Sequence, residues 1–138
     1  MASRAARRIA LVDRALWVGA CVVAGATLVW TLGPAPPDAG SIPSIDKLFH
    51  ATAYGLTVFL LLLAADWRPG RGPGRYPGTA VWIGVAAIAA GGALELVQHL
   101  TGRDTELLDW VADAVGVAVA LGVWAAIRRR TDPARRPA

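Results

Sequence analysis

Residues 95–116 read ELVQHLTGRDTELLDWVADAVG. The segment closes one apolar run and opens the next, with ionisable side chains on both sides of a glycine-led turn. Glu95, Gln98 and His99 end the first run, and Asp109 and Asp113 enter the second. If both runs lie in lipid, these groups are costly where they stand, and ionisable residues at membrane depth are functional-site candidates for that reason. The fold therefore turns on whether the flanking runs can cross a bilayer.

Outward from this segment, four apolar runs are long enough, at about 15–32, 48–65, 79–100 and 108–127. A membrane helix needs about 20 mostly apolar residues. The 138-residue chain is 55% apolar, too much for an ordinary soluble domain of this size, and these runs carry the excess. The reading is an all-α fold: an integral membrane bundle of four transmembrane helices over residues 15–127. A basic segment, 1–14, precedes it and a basic tail, 128–138, follows. Between the runs, residues 33–45 hold four prolines, and residues 66–78 read DWRPGRGPGRYPG; both are irregular loops. Ser44 is the expected N-cap of the second helix. The first run is expected to remain as an uncleaved helix. It is long for a signal sequence, no small-x-small site follows it, and too few apolar residues precede Val18-Gly19-Ala20-Cys21 for a lipobox.

Charge sets the orientation. Twelve of the fourteen basic residues fall in the N-terminal segment, the 66–78 loop and the C-terminal tail, all on one side of a four-span bundle. Only Lys47 and Arg103 lie on the other side, so both termini are expected in the cytoplasm of a multi-pass cell-membrane protein. Basic residues confined to the flanks of apolar runs argue against a nucleic-acid partner, despite the net charge of +4. Cys21 is the single cysteine, which excludes an intrachain disulfide. All six tryptophans fall near expected span ends, where indole rings favour the headgroup level. Ala112, Gly116 and Ala120, with Gly84, Gly91 and Gly92, are small residues that let helices approach closely.

Three of the four runs carry polar residues at one end. Asp46, His50 and Tyr54 recur every four residues and share a helix face, with Lys47 beside them. Glu95 and Gln98 close the third run; Asp109 and Asp113 open the fourth. With the spans alternating in direction, all three groups reach the non-cytoplasmic side. Lipid-facing placement of Glu95 and Asp113 would be unfavourable, so they should face the bundle interior, paired with Lys47, Arg103 or His50, or uncharged. The acid excess favours a cation or a cationic ligand. Arg103, after Gly102, carries a planar fork that suits a phosphate or carboxylate. His50, Glu95, Asp109 and Asp113 are the candidate set for a divalent metal, although no HExxH or cysteine-based spacing supports one. No serine has the context of a catalytic nucleophile.

The order Asp46-Lys47-x-x-His50-x-x-x-Tyr54, Glu95-x-x-Gln98-x-x-x-Gly102-Arg103 and Asp109-Trp110-x-Ala112-Asp113-x-x-Gly116 resembles the VanZ-like family of small bacterial membrane proteins. The resemblance runs from about Asp46 to Gly116. It departs at Asp113, where the family usually has Asn. It implies a cell-envelope role, because a member that gave the family its name is linked to glycopeptide resistance. The binding residues expected on this reading are Asp46, Lys47, His50, Tyr54, Glu95, Gln98, Arg103, Asp109 and Asp113. Three functions stay open. The first is a polar extracytoplasmic pocket that binds an envelope precursor or headgroup, most concretely an anionic or peptide headgroup held near Arg103 and Lys47, with no cofactor. The second is a membrane-embedded acid–base or metal-assisted enzyme acting on a lipid-linked substrate, with Glu95 or His50 as acid–base. The third is an accessory subunit whose polar groups join helices, alone or in an oligomer.

Overall fold

The computed structural model describes residues 4–32, 43–66, 77–100 and 106–131. They form four helices: α1 (Arg4–Leu32), α2 (Pro43–Asp66), α3 (Pro77–Leu100) and α4 (Leu107–Thr131). Each contains a stretch of 22 to 25 residues long and apolar enough to cross a membrane. At ~1.5 Å per residue these stretches reach ~33–38 Å, enough for a ~30 Å hydrocarbon core. The described residues contain no strand. The expected all-α bundle is what forms.

The helices outrun the expected spans, mostly at their starts. α1 begins at Arg4 rather than near residue 15, because the Arg-rich lead-in is itself helix-compatible. α2 and α3 both open on proline, Pro43 and Pro77. Proline is favoured in a first turn, where its fixed φ suits the helix and its missing N–H would have had no partner. Ser44 therefore lies inside α2 and is not its cap. The 66–78 loop and the tail beyond residue 131 fall largely outside the described residues.

Side-chain contacts fix the helix directions. Lys47 and Asp109 meet at the starts of α2 and α4. Asp66 meets Trp124 and Arg128 at their ends. α2 and α4 are therefore parallel and in register. Gln98, late in α3, donates to the Thr31 carbonyl, late in α1, at 2.6 Å, so these two helices run the opposite way. Trp30 of α1 stacks on Phe49 of α2 with centroids 5.3 Å apart. One face of the bundle thus collects the starts of α2 and α4 and the ends of α1 and α3.

The core follows a single ridge of α2. Asp46, His50, Tyr54, Val58, Leu62 and Asp66 recur every four residues, polar at both ends and apolar between. Such i+4 rows are the ridges that helices use to pack. Tyr54, Val58 and Leu62 are buried against Val117, Ala120 and Trp124 of α4, with Ala80 of α3. The close approach of α2 and α4 rests on glycine. A Cβ at Gly116 would stand 2.0 Å from the Ala51 carbonyl oxygen, and one at Gly55 would stand 3.0 Å from the Gly116 oxygen. Most other apolar side chains point outward: only 11–22% of each apolar window is buried within the bundle. Trp82 is 72% exposed and Val29 73%. In water that surface would be a liability, whereas in hydrocarbon it is the expected solvent-facing side.

Candidate functional site

At the face shared by the starts of α2 and α4, helix geometry concentrates acid. Asp46 lies in the first turn of α2 and Asp109 in the first turn of α4. Carboxylates there are favoured by the partial positive charge of a helix N-terminus. The Asp109 backbone N–H donates to the Glu106 carbonyl at 2.8 Å, which brings Glu106 over the same opening. Lys47 answers these acids. Its ammonium donates to Glu106 Oε2 at 2.6 Å and to Asp109 Oδ1, and lies 3.6 Å from Asp46 Oδ2.

One turn deeper the arrangement changes from an ion cluster to a buried pair. Asp113 is 3% exposed. Its Oδ1 lies 2.9 Å from His50 Nδ1, a hydrogen bond that orients the imidazole and satisfies the acid. The depth is set by helical rise: Asp113 is six residues into α4, ~9 Å from its start. Gly91 of α3 makes room for it. A Cβ there would stand 2.9 Å from Asp113 Oδ2 and 3.4 Å from both the Tyr54 ring and Trp110. Tyr54 is thus a wall of the site and the first member of the apolar core.

Glu95 closes the third side. The Glu106 backbone amide serves its carboxyl, yet Oε1 is sealed from solvent without a hydrogen-bond partner among the described residues. A buried unsatisfied acceptor is uncommon in native structures and marks a place where a ligand, ion or water would be stabilised. Five carboxylates, Asp46, Glu95, Glu106, Asp109 and Asp113, therefore share the opening with one lysine and one imidazole. The electrostatics favour a cation.

The expected site residues divide by position. Asp46, Lys47, His50, Asp109 and Asp113 converge through the ion cluster and the buried pair. Tyr54 and Glu95 line it. Gln98 is buried and ties α3 to α1 through the Thr31 carbonyl. Arg103 lies outside the described residues. The expected pairing of Asp113 with His50 is present. Lys47 serves Glu106, Asp109 and Asp46, and no ion pair joins it to Glu95. The metal-compatible grouping also differs from the expected one: Asp46, His50 and Asp109 come together, because Asp113 is committed to His50.

Two residues carry more than the sequence suggested. From the sequence, Glu106 adds only one more acid to the loop within residues 95–116, although its place one residue before an apolar helix was a signal that it would sit over the opening. Trp110 was expected at headgroup level. Its indole also donates to the Ile88 carbonyl of α3 at 3.0 Å and lies over Gly92, which has no side chain to block it. Trp124 is likewise drawn inward by Asp66, at 3.0 Å, with Arg128 over its ring. No family model, curated protein or solved structure matches the chain.

Proposed function

We propose that this small integral membrane protein is VanZ-like and binds a lipid-anchored cell-envelope component at its acidic face. On this reading that face is extracytoplasmic, both termini are cytoplasmic, and the membrane is the cell membrane. The observation that carries the reading is the position of His50. Its ring belongs to the polar cluster through Asp113 and also lines an apolar cavity of about 320 Å³ between α1 and α2. Val22, Val23, Ala26, Trp30 and Phe49 supply most of the apolar wall, with Thr27 and Thr31 also lining it. A ligand with an apolar chain and a polar head would satisfy both halves at once, which neither a free ion nor a plain acyl chain does.

The charge balance chooses the headgroup. Lys47 is already held by three carboxylates and offers little to an anion, whereas the acid excess would pair with an ammonium. An amine-bearing or peptide headgroup is therefore the ligand class. The full chain in nanodiscs is expected to bind an amine-headed lipid probe, with affinity falling in Glu95→Gln and Asp109→Asn and membrane abundance unchanged. Equal affinity for anionic and amine-headed probes, or wild-type binding in both variants, would refute the reading. A reporter joined after Ala138 should be active only in its cytoplasmic form.

One observation favours a second reading, a membrane-embedded acid–base enzyme. An imidazole oriented by a buried carboxylate, as His50 is by Asp113, is the arrangement of a general base. Turnover of a lipid-linked substrate by wild type and its loss in His50→Ala would favour this reading over simple binding.

A further inference from the structure

Asp46, His50 and Asp109 each offer a ligating atom, and these atoms lie within 4.8 Å of one another. We propose that these three side chains form a binding site for a first-row divalent cation of the Zn²⁺ or Mn²⁺ kind. The inference concerns the same face as the lipid reading but does not depend on it.

Geometry comes first. Donors at ~2.1 Å around a tetrahedral ion lie ~3.4 Å apart. The three side chains thus need to draw in by little more than ~1 Å, which rotamer adjustment at a helix start supplies. All three are half-buried, so an ion would be partly shielded from water while one coordination position stayed open toward the membrane face. One imidazole with two carboxylates suits zinc through its nitrogen and manganese through its oxygens.

The independent observation is Asp113. Its buried carboxylate lies 2.9 Å from His50 Nδ1; with the proton held there, Nε2 is the nitrogen that would ligate. Carboxylate–histidine–metal chains are built in this way, and the outer carboxylate fixes the tautomer and raises the basicity of the ligand. The unpartnered Glu95 Oε1 and the acidic Glu106 add negative charge around the same opening.

Lys47 is the rival for the site. Its ammonium already bridges Asp109 and Glu106 beside Asp46, so it acts as a tethered cation that an entering metal must displace. Removing that ammonium should therefore tighten metal binding, whereas a lysine that merely buttressed the site would loosen it on removal.

The test uses the full chain purified in detergent without a polyhistidine tag and stripped with chelator. It is titrated with Zn²⁺ by calorimetry and with Co²⁺ by visible absorption. One equivalent should bind, with a Co²⁺ spectrum that reports nitrogen ligation. Asp46→Asn and Asp109→Asn should each weaken binding more than about tenfold, and Asp113→Asn by about 10–100-fold. Lys47→Met should tighten it severalfold. His99→Ala, which removes the only other histidine, should leave it unchanged. Absence of binding in both wild type and Lys47→Met would overturn the proposal. So would affinity that follows His99, or that ignores Asp46 and Asp109. The wild-type Co²⁺ spectrum decides the matter even if a variant fails to fold. Because no lipid enters the titration, failure of the lipid reading leaves this result intact.

Discussion

Replacing Gly116 by alanine is the sharpest perturbation available. The added Cβ would sit 2.0 Å from the Ala51 oxygen, 2.8 Å from its carbonyl carbon and 2.9 Å from its Cα. All three are backbone atoms, so no rotamer change relieves the overlap. Ordinary contact begins near 3.4 Å, and α2 and α4 would have to part by about 1.4 Å there. His50 and Asp113 stand beside this crossing. If half of the parting reaches them, their 2.9 Å contact stretches to about 3.6 Å and ceases to be a hydrogen bond. Overpacking typically costs ~1–3 kcal/mol, and a hydrogen bond to a charged group contributes ~1.5–3 kcal/mol. Together, about 2.5–6 kcal/mol, they are a large part of the ~5–15 kcal/mol that holds a typical domain folded. Thermal unfolding in micelles should show it as a drop of about 10–20 °C. Gly122→Ala is the control, since the same change in the same helix meets nothing within 4 Å. A Gly116→Ala midpoint within about 2 °C of that control would refute the close-approach argument.

Three further outcomes follow from the same contacts. Gly91→Ala should fall between Gly116→Ala and Gly122→Ala in stability, because the obstructing atoms at 2.9 and 3.4 Å belong to side chains, which can yield. Equal damage from Gly91→Ala and Gly116→Ala would contradict that ranking. A double-mutant cycle on His50→Ala and Asp113→Leu should give a coupling of about 1–3 kcal/mol, and a value near zero would mean that the buried pair does not hold α2 to α4. Trp124→Phe keeps an aromatic ring in place but loses the 3.0 Å bond to the Asp66 carboxylate, which should cost about 1.5–3 kcal/mol. If Asp66→Ala and Trp124→Phe prove additive, the two groups are not partners.

Glu106 and Trp110 show where reading the chain as a string runs out. Both were visible as residues, one as loop acid and the other as an indole near a span end. Their partners, Lys47 and the Ile88 carbonyl, are 59 and 22 residues away, and nothing in local spacing selects them. The pairing of His50 with Asp113 was among the expected ones, because both are polar, deep and near the same face. For Glu95, depth alone left Lys47, Arg103 and His50 equally open as partners; Lys47 went to Glu106, Asp109 and Asp46, and Arg103 lies outside the described residues.

The sequence by itself determined the four spans and the end of the bundle at which the polar groups gather. Both are one-dimensional properties. Bilayer thickness sets the length of an apolar run, and helical rise converts residue number into depth. The stripe from Asp46 through Tyr54 was legible on the same ground. Only the tertiary structure decided which helices touch and how each is rotated. In lipid an apolar side chain is as well placed outside the bundle as inside, so hydrophobic pattern cannot mark the buried face. Close backbone approach marks it instead. Gly116 against Ala51 and Gly91 beside Asp113 bring α4 and the polar end of α3 to α2, and the misplaced charges of Glu95, Asp109 and Asp113 become one wall of a single acidic site.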